Sequence, residues 1–247
     1  MPKFFVNSNQ IENSKITILG TDVNHIKNVL RLKENEQLEI CNAESQENYL
    51  CTIQEITEKQ IECRIKEKIN KTSESNIKVT IFQGLPKADK MEFIIQKAVE
   101  LGAYDITPVE MSRCVVKLNE KDKIKKLDRW QKISEVAAKQ CERDIIPKIN
   151  DIISIKNIGE ILNMYDVIIL AYEKEHQNTI KQELQKIKQE KLSKIGIIIG
   201  PEGGIDEKEV EMLKGYGIKV ITLGNRILRT ETVALNVLSN IIYELEM

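Results

Sequence analysis

Residues 195–232 read IGIIIGPEGGIDEKEVEMLKGYGIKVITLGNRILRTET. Two apolar runs, 195–199 and 218–223, have strand character, and each ends in a glycine-bearing loop. The first loop is Gly200-Pro201-Glu202-Gly203-Gly204 and the second runs from Gly224-Asn225-Arg226 through Leu228-Arg229-Thr230-Glu231-Thr232. Loops at the carboxyl ends of strands are where open α/β sheets bind ligands, so the pair reads as one pocket. Gly203 and Gly204 let backbone approach a ligand without side-chain obstruction. Asp206 caps the next helix, with Glu209 as its capping-box partner and Ile205 and Val210 at the positions of a hydrophobic staple. With Glu202 and Asp206 beside it, this loop is a poor seat for phosphate and suits a neutral or positively charged ligand, such as a sulfonium. Thr230 is the expected cap of a last helix over 231–246. Arg226 and Arg229 precede that helix, where a cation is unfavourable by about 0.3–1 kcal/mol. They either face an anion, RNA phosphate or a ligand carboxylate, or pair with Glu202 or Glu231.

Familiar nucleotide motifs are absent. There is no G-x-x-x-x-G-K-[ST] and no G-x-G-x-x-G between a strand and a helix, which removes P-loop and nicotinamide readings. No G-x-S-x-G is present, which argues against an α/β-hydrolase.

The elements that must position these loops start near residue 77. A strand over 77–83 ends at Gly84. The segment LPKADKMEFIIQKAVELG then gives a helix with an Asp89–Glu92 capping box, an apolar stripe of Met91, Ile94, Ile95, Ala98 and Leu101, and a stop at Gly102. A strand follows over 105–109, which makes a β-α-β unit and hence parallel sheet. Arg113 comes just after that strand end and either points at a ligand or makes a surface ion pair. Residues 117–132 carry seven basic side chains against three acidic ones, a solvated helix face or a phosphate-contacting patch. Trp130 within it reads as packing rather than base stacking. The helix continues over 132–143 and ends before Pro147. A fully apolar strand over 167–171 follows, then a polar, peripheral helix over 179–192.

The first seventy residues differ in texture. Strands are expected over 4–6, 15–19, 37–41, 49–56 and 60–69, which suggests a small barrel. One helix, 22–30, interrupts them with Asp22 as its cap and an apolar stripe of Ile26, Val29 and Leu30. His25, Asn28 and Arg31 share its other face, a solvated surface or a contact for phosphate or base. The polar stretch NKTSESN, 70–76, reads as a linker. The expected division is residues 1–70, a linker at 71–76, and 77–247.

The chain has 247 residues, 41% hydrophobic and 30% charged, with net charge −1. This is soluble, globular composition, and any nucleic-acid affinity must come from a local patch. Aromatics are only 4%, so Ile, Leu and Val must build the core. Five cysteines without a CxxC, beside only His25 and His176, give poor material for zinc and fit reduced, buried thiols in a cytoplasmic protein. No signal peptide or membrane-spanning run is expected.

Several segments together resemble the RsmE family of ribosomal RNA uridine-N3 methyltransferases, in the SPOUT superfamily. They are IGPEGG followed by LGNRILRTET, HIKNVLRL, LPKADKMEFIIQKAVELG, SRCVVK and RWQKISEVAAKQCER. Lys139 stands where the family usually has Glu, and Glu142 where it commonly has Gly. The resemblance implies a PUA-like RNA-binding β-barrel followed by an α/β parallel-sheet methyltransferase domain with a C-terminal trefoil knot. It implies S-adenosylmethionine as cofactor, a homodimer with the active site near the subunit interface, no metal, and a uridine of 16S ribosomal RNA in the small subunit as target. The cofactor would be wrapped by Leu170, Ala171, Gly200, Pro201, Glu202, Gly203, Gly204, Leu223, Gly224, Arg226, Ile227, Leu228, Arg229 and Thr232. Arg229 and Arg113 would stabilise the developing uracil anion or grip phosphates, and Glu231 is a possible base. His25, Arg31, Arg113, Lys117 and Arg143 would contact RNA.

Overall fold

The computed structural model describes residues 1–70 and 72–247. Lys71, in the expected linker, lies outside them. The chain forms two units: Met1–Glu74 with Ala138–Ile146, and Ser75–Ala137 with Pro147–Met247. Residues 138–146, expected within the later division of the chain, belong to the first unit, where their partners, described below, also lie.

The first unit contains β1 (Lys3–Val6), β2 (Ile11–Glu12), β3 (Lys15–Leu19), α1 (Thr21–Asn24), β4 (Gln37–Asn42), β5 (Asn48–Ile56) and β6 (Gln60–Ile69). The strands make one sheet in the order β1-β4-β5-β6-β3-β2, antiparallel except for the β1–β4 pair. Alternate residues such as Ile16 and Ile18 or Ile61 and Cys63 point inward and, with Phe4, Leu38, Ile40 and Ile53, form the core, as the period of two requires. Burial pushes the thiols of Cys41, Cys51 and Cys63 up to about 12, so these cysteines are inert packing groups.

The helix expected over 22–30 is different in kind. The chain enters it through Gly20 at φ 74°, so it starts at Thr21 and Asp22 does not cap it. After one α turn it widens into a π turn over His25–Val29, closed by the Leu30 N–H donating to the His25 carbonyl at 2.9 Å. A π turn shifts the side-chain phase. Ile26 stays buried, but Val29 and Leu30 are 64% and 37% exposed, so the expected three-residue apolar stripe does not form.

The second unit holds β7 (Lys78–Gly84), α2 (Lys90–Glu100), β8 (Asp105–Glu110), α3 (Glu120–Gln140, its last turn counted with the first unit), β9 (Lys148–Ile149), β10 (Ile153–Ser154), β11 (Val167–Ala171), α4 (Ile180–Glu190), β12 (Lys194–Ile199), α5 (Glu207–Gly215), β13 (Lys219–Ile221) and α6 (Thr230–Ile241). Its sheet is wholly parallel, in the order β10-β8-β7-β12-β11-β13, with β9 beside β8. The central strands are apolar along their whole length, with Val79, Ile81, Phe82, Ile195, Ile197 and Ile198 buried, because helices cover both faces. β12, late in the chain, inserts between β7 and β11. Its carboxyl end, those of β11 and β13, and the start of α6 therefore converge.

Four local expectations fail here. Asp89 stands at the start of α2, but its side chain makes no capping bond, and Glu92 binds Arg129 at 2.7 Å instead. Arg229, not Thr230, is the N-cap residue of α6, because the Thr230 hydroxyl is engaged by the loops beneath it. The helix expected over 231–246 is α6 followed by a π turn over Ile242–Glu246. α4 is capped by Thr179 and buries Leu184 and Ile187, so it belongs to the core more than a peripheral helix would. Trp130 is buried, as packing requires. No helix among the described residues is long and apolar enough to cross a membrane.

Candidate functional site

The loop after β12 is built to lie close against its neighbours. A Cβ on Gly84, at the end of β7, would come within 2.7 Å of Pro201 Cδ and 2.8 Å of its backbone nitrogen. Glycine at 84 is therefore what lets the Gly200–Pro201 turn pass over β7. Gly204 is held at φ 70°, a left-handed conformation that calls for glycine, and a Cβ there would also displace the end of the Glu173 side chain, 2.8 Å away. Asp206 then caps α5, accepting from the Lys208 N–H at 3.1 Å, with Glu209 completing the capping box. Ile205 and Val210 are both buried. The Lys208 N–H first, and Arg113 with it, hold the Asp206 carboxyl below the ordinary value.

Thr230 ties the two loops together. Its hydroxyl donates to the Gly200 carbonyl at 2.6 Å and accepts from Gln83 Nε2 at 2.9 Å. The end of β7, the loop after β12 and the first residue of α6 thus share one buried hydroxyl. Behind them, the Asn178 carbonyl accepts from the Thr222 N–H at 2.8 Å, which fixes where the loop after β13 leaves the sheet.

These loops enclose a cavity of about 490 Å3, within the range of small-molecule sites, roughly 300–1,000 Å3. Ala171, Gly200, Pro201, Glu202, Gly203, Gly204, Leu223, Gly224, Arg226, Ile227, Leu228 and Arg229 all line it. Leu170 does not: it is fully buried in the sheet behind Ala171. Thr232 is exposed on α6, outside the lining, and its N–H donates to the Arg229 carbonyl at 2.8 Å. Glu173, His176 and Lys90 also line the cavity although no motif in the sequence singles them out as ligand contacts. Glycines and a proline are visible as loop-makers; a lysine that reaches a loop far along the chain is not.

The charges divide unevenly. Lys90 Nζ lies 3.2 Å from Glu202 Oε1 and 3.2 Å from Glu231 Oε2, so one ammonium bridges the first loop and the start of α6. The Glu231 carboxylate first, with Glu202 adding to it and burial opposing, raises the Lys90 pKa above the usual lysine value. Burial would raise the Glu202 carboxyl, but N–H groups, including that of Lys87 at 3.0 Å, and the Lys90 ammonium outweigh it and hold the group below its ordinary value. Arg113 lies outside the cavity lining, where its guanidinium donates to Asp206 at 3.2 Å and to the Gly203 carbonyl at 3.3 Å. This is the surface ion pair, used here to hold the loop. Arg226 and Arg229 are exposed at the cavity mouth, and among the described residues no carboxylate pairs with either. Glu202 and Glu231, the partners weighed for them, are both taken by Lys90.

The remaining predicted contacts scatter. Lys117 is exposed, after β8. In the basic run, Arg129 pairs with Glu92, Lys123 with Glu110 and Glu120, and Lys126 lies over Trp130 at 6.0 Å. In the first unit, Arg31 is exposed, and so is His25, whose ring meets Phe4 edge-on at 5.9 Å. Arg143 is only 6% exposed and held by Glu74; a buried guanidinium facing a carboxylate is not presented to phosphate.

Residues 73–242 match the RNA methyltransferase domain family, and residues 18–66 match the RNA methyltransferase PUA domain. The chain is 38% identical to the Ribosomal RNA small subunit methyltransferase E of Bacillus subtilis (strain 168), over all of this chain and 98% of that one. A crystal structure of the Ribosomal RNA small subunit methyltransferase E from Neisseria gonorrhoeae, bound to S-adenosyl methionine, superposes with a TM-score of 0.87 at 28% identity, covering 98% of this chain and 97% of that one. A putative methyltransferase from Legionella pneumophila in complex with the cofactor SAM superposes with a TM-score of 0.85 at 26% identity, covering 98% and 96%.

Proposed function

We propose that this chain, which belongs to the ribosomal RNA small subunit methyltransferase E family, uses S-adenosylmethionine to methylate N3 of one uridine in the 16S RNA of the small ribosomal subunit. One observation carries the reading: a cavity whose first loop offers backbone and carboxylates, and whose second loop offers two arginines that no carboxylate among the described residues pairs with. That donor set fits the cofactor. Gly203 and Gly204 leave room for close backbone contact, Glu202 suits a positive sulfur, and the arginines suit a carboxylate or an RNA phosphate. When bound, S-adenosylmethionine supplies an electrophilic methyl group.

The chain's own residues supply orientation and charge. N3 of uracil must lose its proton before or as it attacks, so negative charge develops on the base. Arg229, with Arg226 beside it, is positioned at the cavity mouth to stabilise that charge or to grip the flanking phosphates. Arg113 joins them only by leaving Asp206. Glu231, paired with Lys90 at the start of α6, is a nearby carboxylate placed to accept that proton. Holding the base in line with the methyl group accounts for much of the remaining rate.

Three finer features belong to the same proposal. Residues 222–229 run from β13, at the sheet edge, back past the 200–204 loop to α6, which packs on α2; that path supports a trefoil-knotted SPOUT fold. Ile227, 83% exposed, and Tyr243, 73% exposed, support a homodimer formed near the site. Action on ribosomal RNA supports a cytoplasmic location. The test is incubation of the protein with S-adenosylmethionine and small subunits or their RNA, followed by mass mapping. Gain of a single N3-methyluridine is expected; methylation at another atom or in another RNA overturns the reading.

A further inference from the structure

We propose that Lys90 is a positioning residue that keeps Arg226 and Arg229 free for RNA by holding the two carboxylates that would otherwise neutralise them. The inference rests on the function proposed above in that it takes RNA as the substrate at this cavity.

Arg226 and Arg229 stand in one short loop with Glu231 just beyond them and Glu202 across the cavity. Without a competing cation, this arrangement favours internal pairing, since flexible arginines readily find adjacent carboxylates. Yet both carboxylates face Lys90, each at 3.2 Å. Glu202 has further support from the Lys87 N–H at 3.0 Å. Glu231 does not: its Oε2 is buried, has no directed hydrogen bond, and has only the Lys90 ammonium as an ion-pair partner among the described residues. A buried carboxylate stripped of its cation must find another or take up a proton. Arg229, the N-cap residue of the helix on which Glu231 occupies the first turn, is the nearest replacement along the chain. Lys90 itself comes from the first turn of α2, which packs against α6. The ammonium is thus supplied by a helix that lies outside both loops. Because Glu231 and Glu202 hold it charged, it acts as a fixed cation and not as a base.

The test uses the full chain and a fragment of small-subunit ribosomal RNA, with affinity read by fluorescence anisotropy across a salt series and cofactor affinity read by calorimetry. Lys90→Met is expected to weaken RNA binding about tenfold at low salt and to flatten the salt dependence by about 0.7 in log–log slope for each arginine withdrawn. Lys90→Arg, which keeps the cation, is expected to bind RNA like the unaltered protein. Adding Glu231→Gln to Lys90→Met is expected to restore most of the lost affinity, because the carboxylate that captures the arginine is gone. That recovery is not expected of a lysine with a merely structural role or of one that touches RNA directly. An unchanged affinity and slope in Lys90→Met, or no recovery in the double variant, overturns the proposal. These readouts need no turnover, so an unaltered protein that binds RNA but transfers no methyl group sinks the proposed function and leaves the Lys90 measurement interpretable.

Discussion

Arg229 caps α6 through its backbone while its side chain stands exposed at the cavity mouth, with no carboxylate partner among the described residues. A guanidinium at a helix start is electrostatically uphill, and among the described residues no ion pair offsets it. Arg229→Ala therefore removes little that holds the loop and much that meets developing charge. Turnover is expected to fall by about 100-fold or more, with cofactor affinity within about threefold of the unaltered protein by calorimetry; unchanged turnover on ribosomal substrate removes Arg229 from the chemistry. Arg113 shows what single-residue reading misses. Its place after a strand end pointed equally to ligand and to ion pair, and only the position of Asp206 decides between them. Glu142 is the converse. Its φ of 58° is a left-handed position, so the departure from the family's common Gly puts a side chain where the backbone prefers none.

At the level of elements, β7, β12 and the start of α6 form one device around the Thr230 hydroxyl. Most of it was legible in sequence. Continuous apolar runs identified β11 and β12, and Asp206 with Glu209 fixed the start of α5, because these signals are local. The Thr230 hub was not legible, since a threonine before a helix looks like a cap whether or not distant loops claim its hydroxyl. The π turn at His25–Val29 was hidden for a related reason: widening a helix by one residue leaves its composition unchanged. β2, β9 and β10 are too short to carry a period. The close approach at Gly84 belongs to the same device and can be tested there. Gly84→Ala forces a Cβ against the Pro201 backbone, where no flexible side chain can yield. A loss of about 1–3 kcal/mol is expected, together with weaker cofactor binding as the 200–204 loop is pushed outward. A variant with unaltered melting temperature and cofactor affinity would show that the loop has room to spare.

For the molecule as a whole, the net charge of −1 means that recognition of a polyanion depends on where charges are left unpaired, and internal pairing decides that. The same accounting governs stability in the first unit, where the segment 138–146 returns to the early chain. There Lys139 meets Asp22 at 2.9 Å, Arg143 meets Glu74, and Lys3 donates to Asp144, which also accepts from the Ser73 N–H at 2.9 Å. Ser73 and Glu74, in the stretch that reads as a polar linker, are thus tied down, and both departures from the family pattern, Lys139 and Glu142, fall in this returning segment. Lys3 and Asp144 are nearly inaccessible, 6% and 2% exposed. Burial acts to raise the Asp144 carboxyl, but Lys3, Thr72 and the Ser73 N–H outweigh it and depress the group below its ordinary value of 3.8. A depressed carboxyl stabilises the folded state above its unfolded value and loses that contribution as pH falls through the folded one. Asp144→Asn leaves the Lys3 ammonium buried without its counter-charge, at a cost of about 3–5 kcal/mol near neutral pH. As the pH is lowered below 3.8 the unaltered protein loses the same contribution, so the gap between the two denaturation midpoints should narrow. A gap that stays constant from pH 7 down through the acid transition would mean that the ionised Asp144 carboxylate contributes nothing to holding the returning segment.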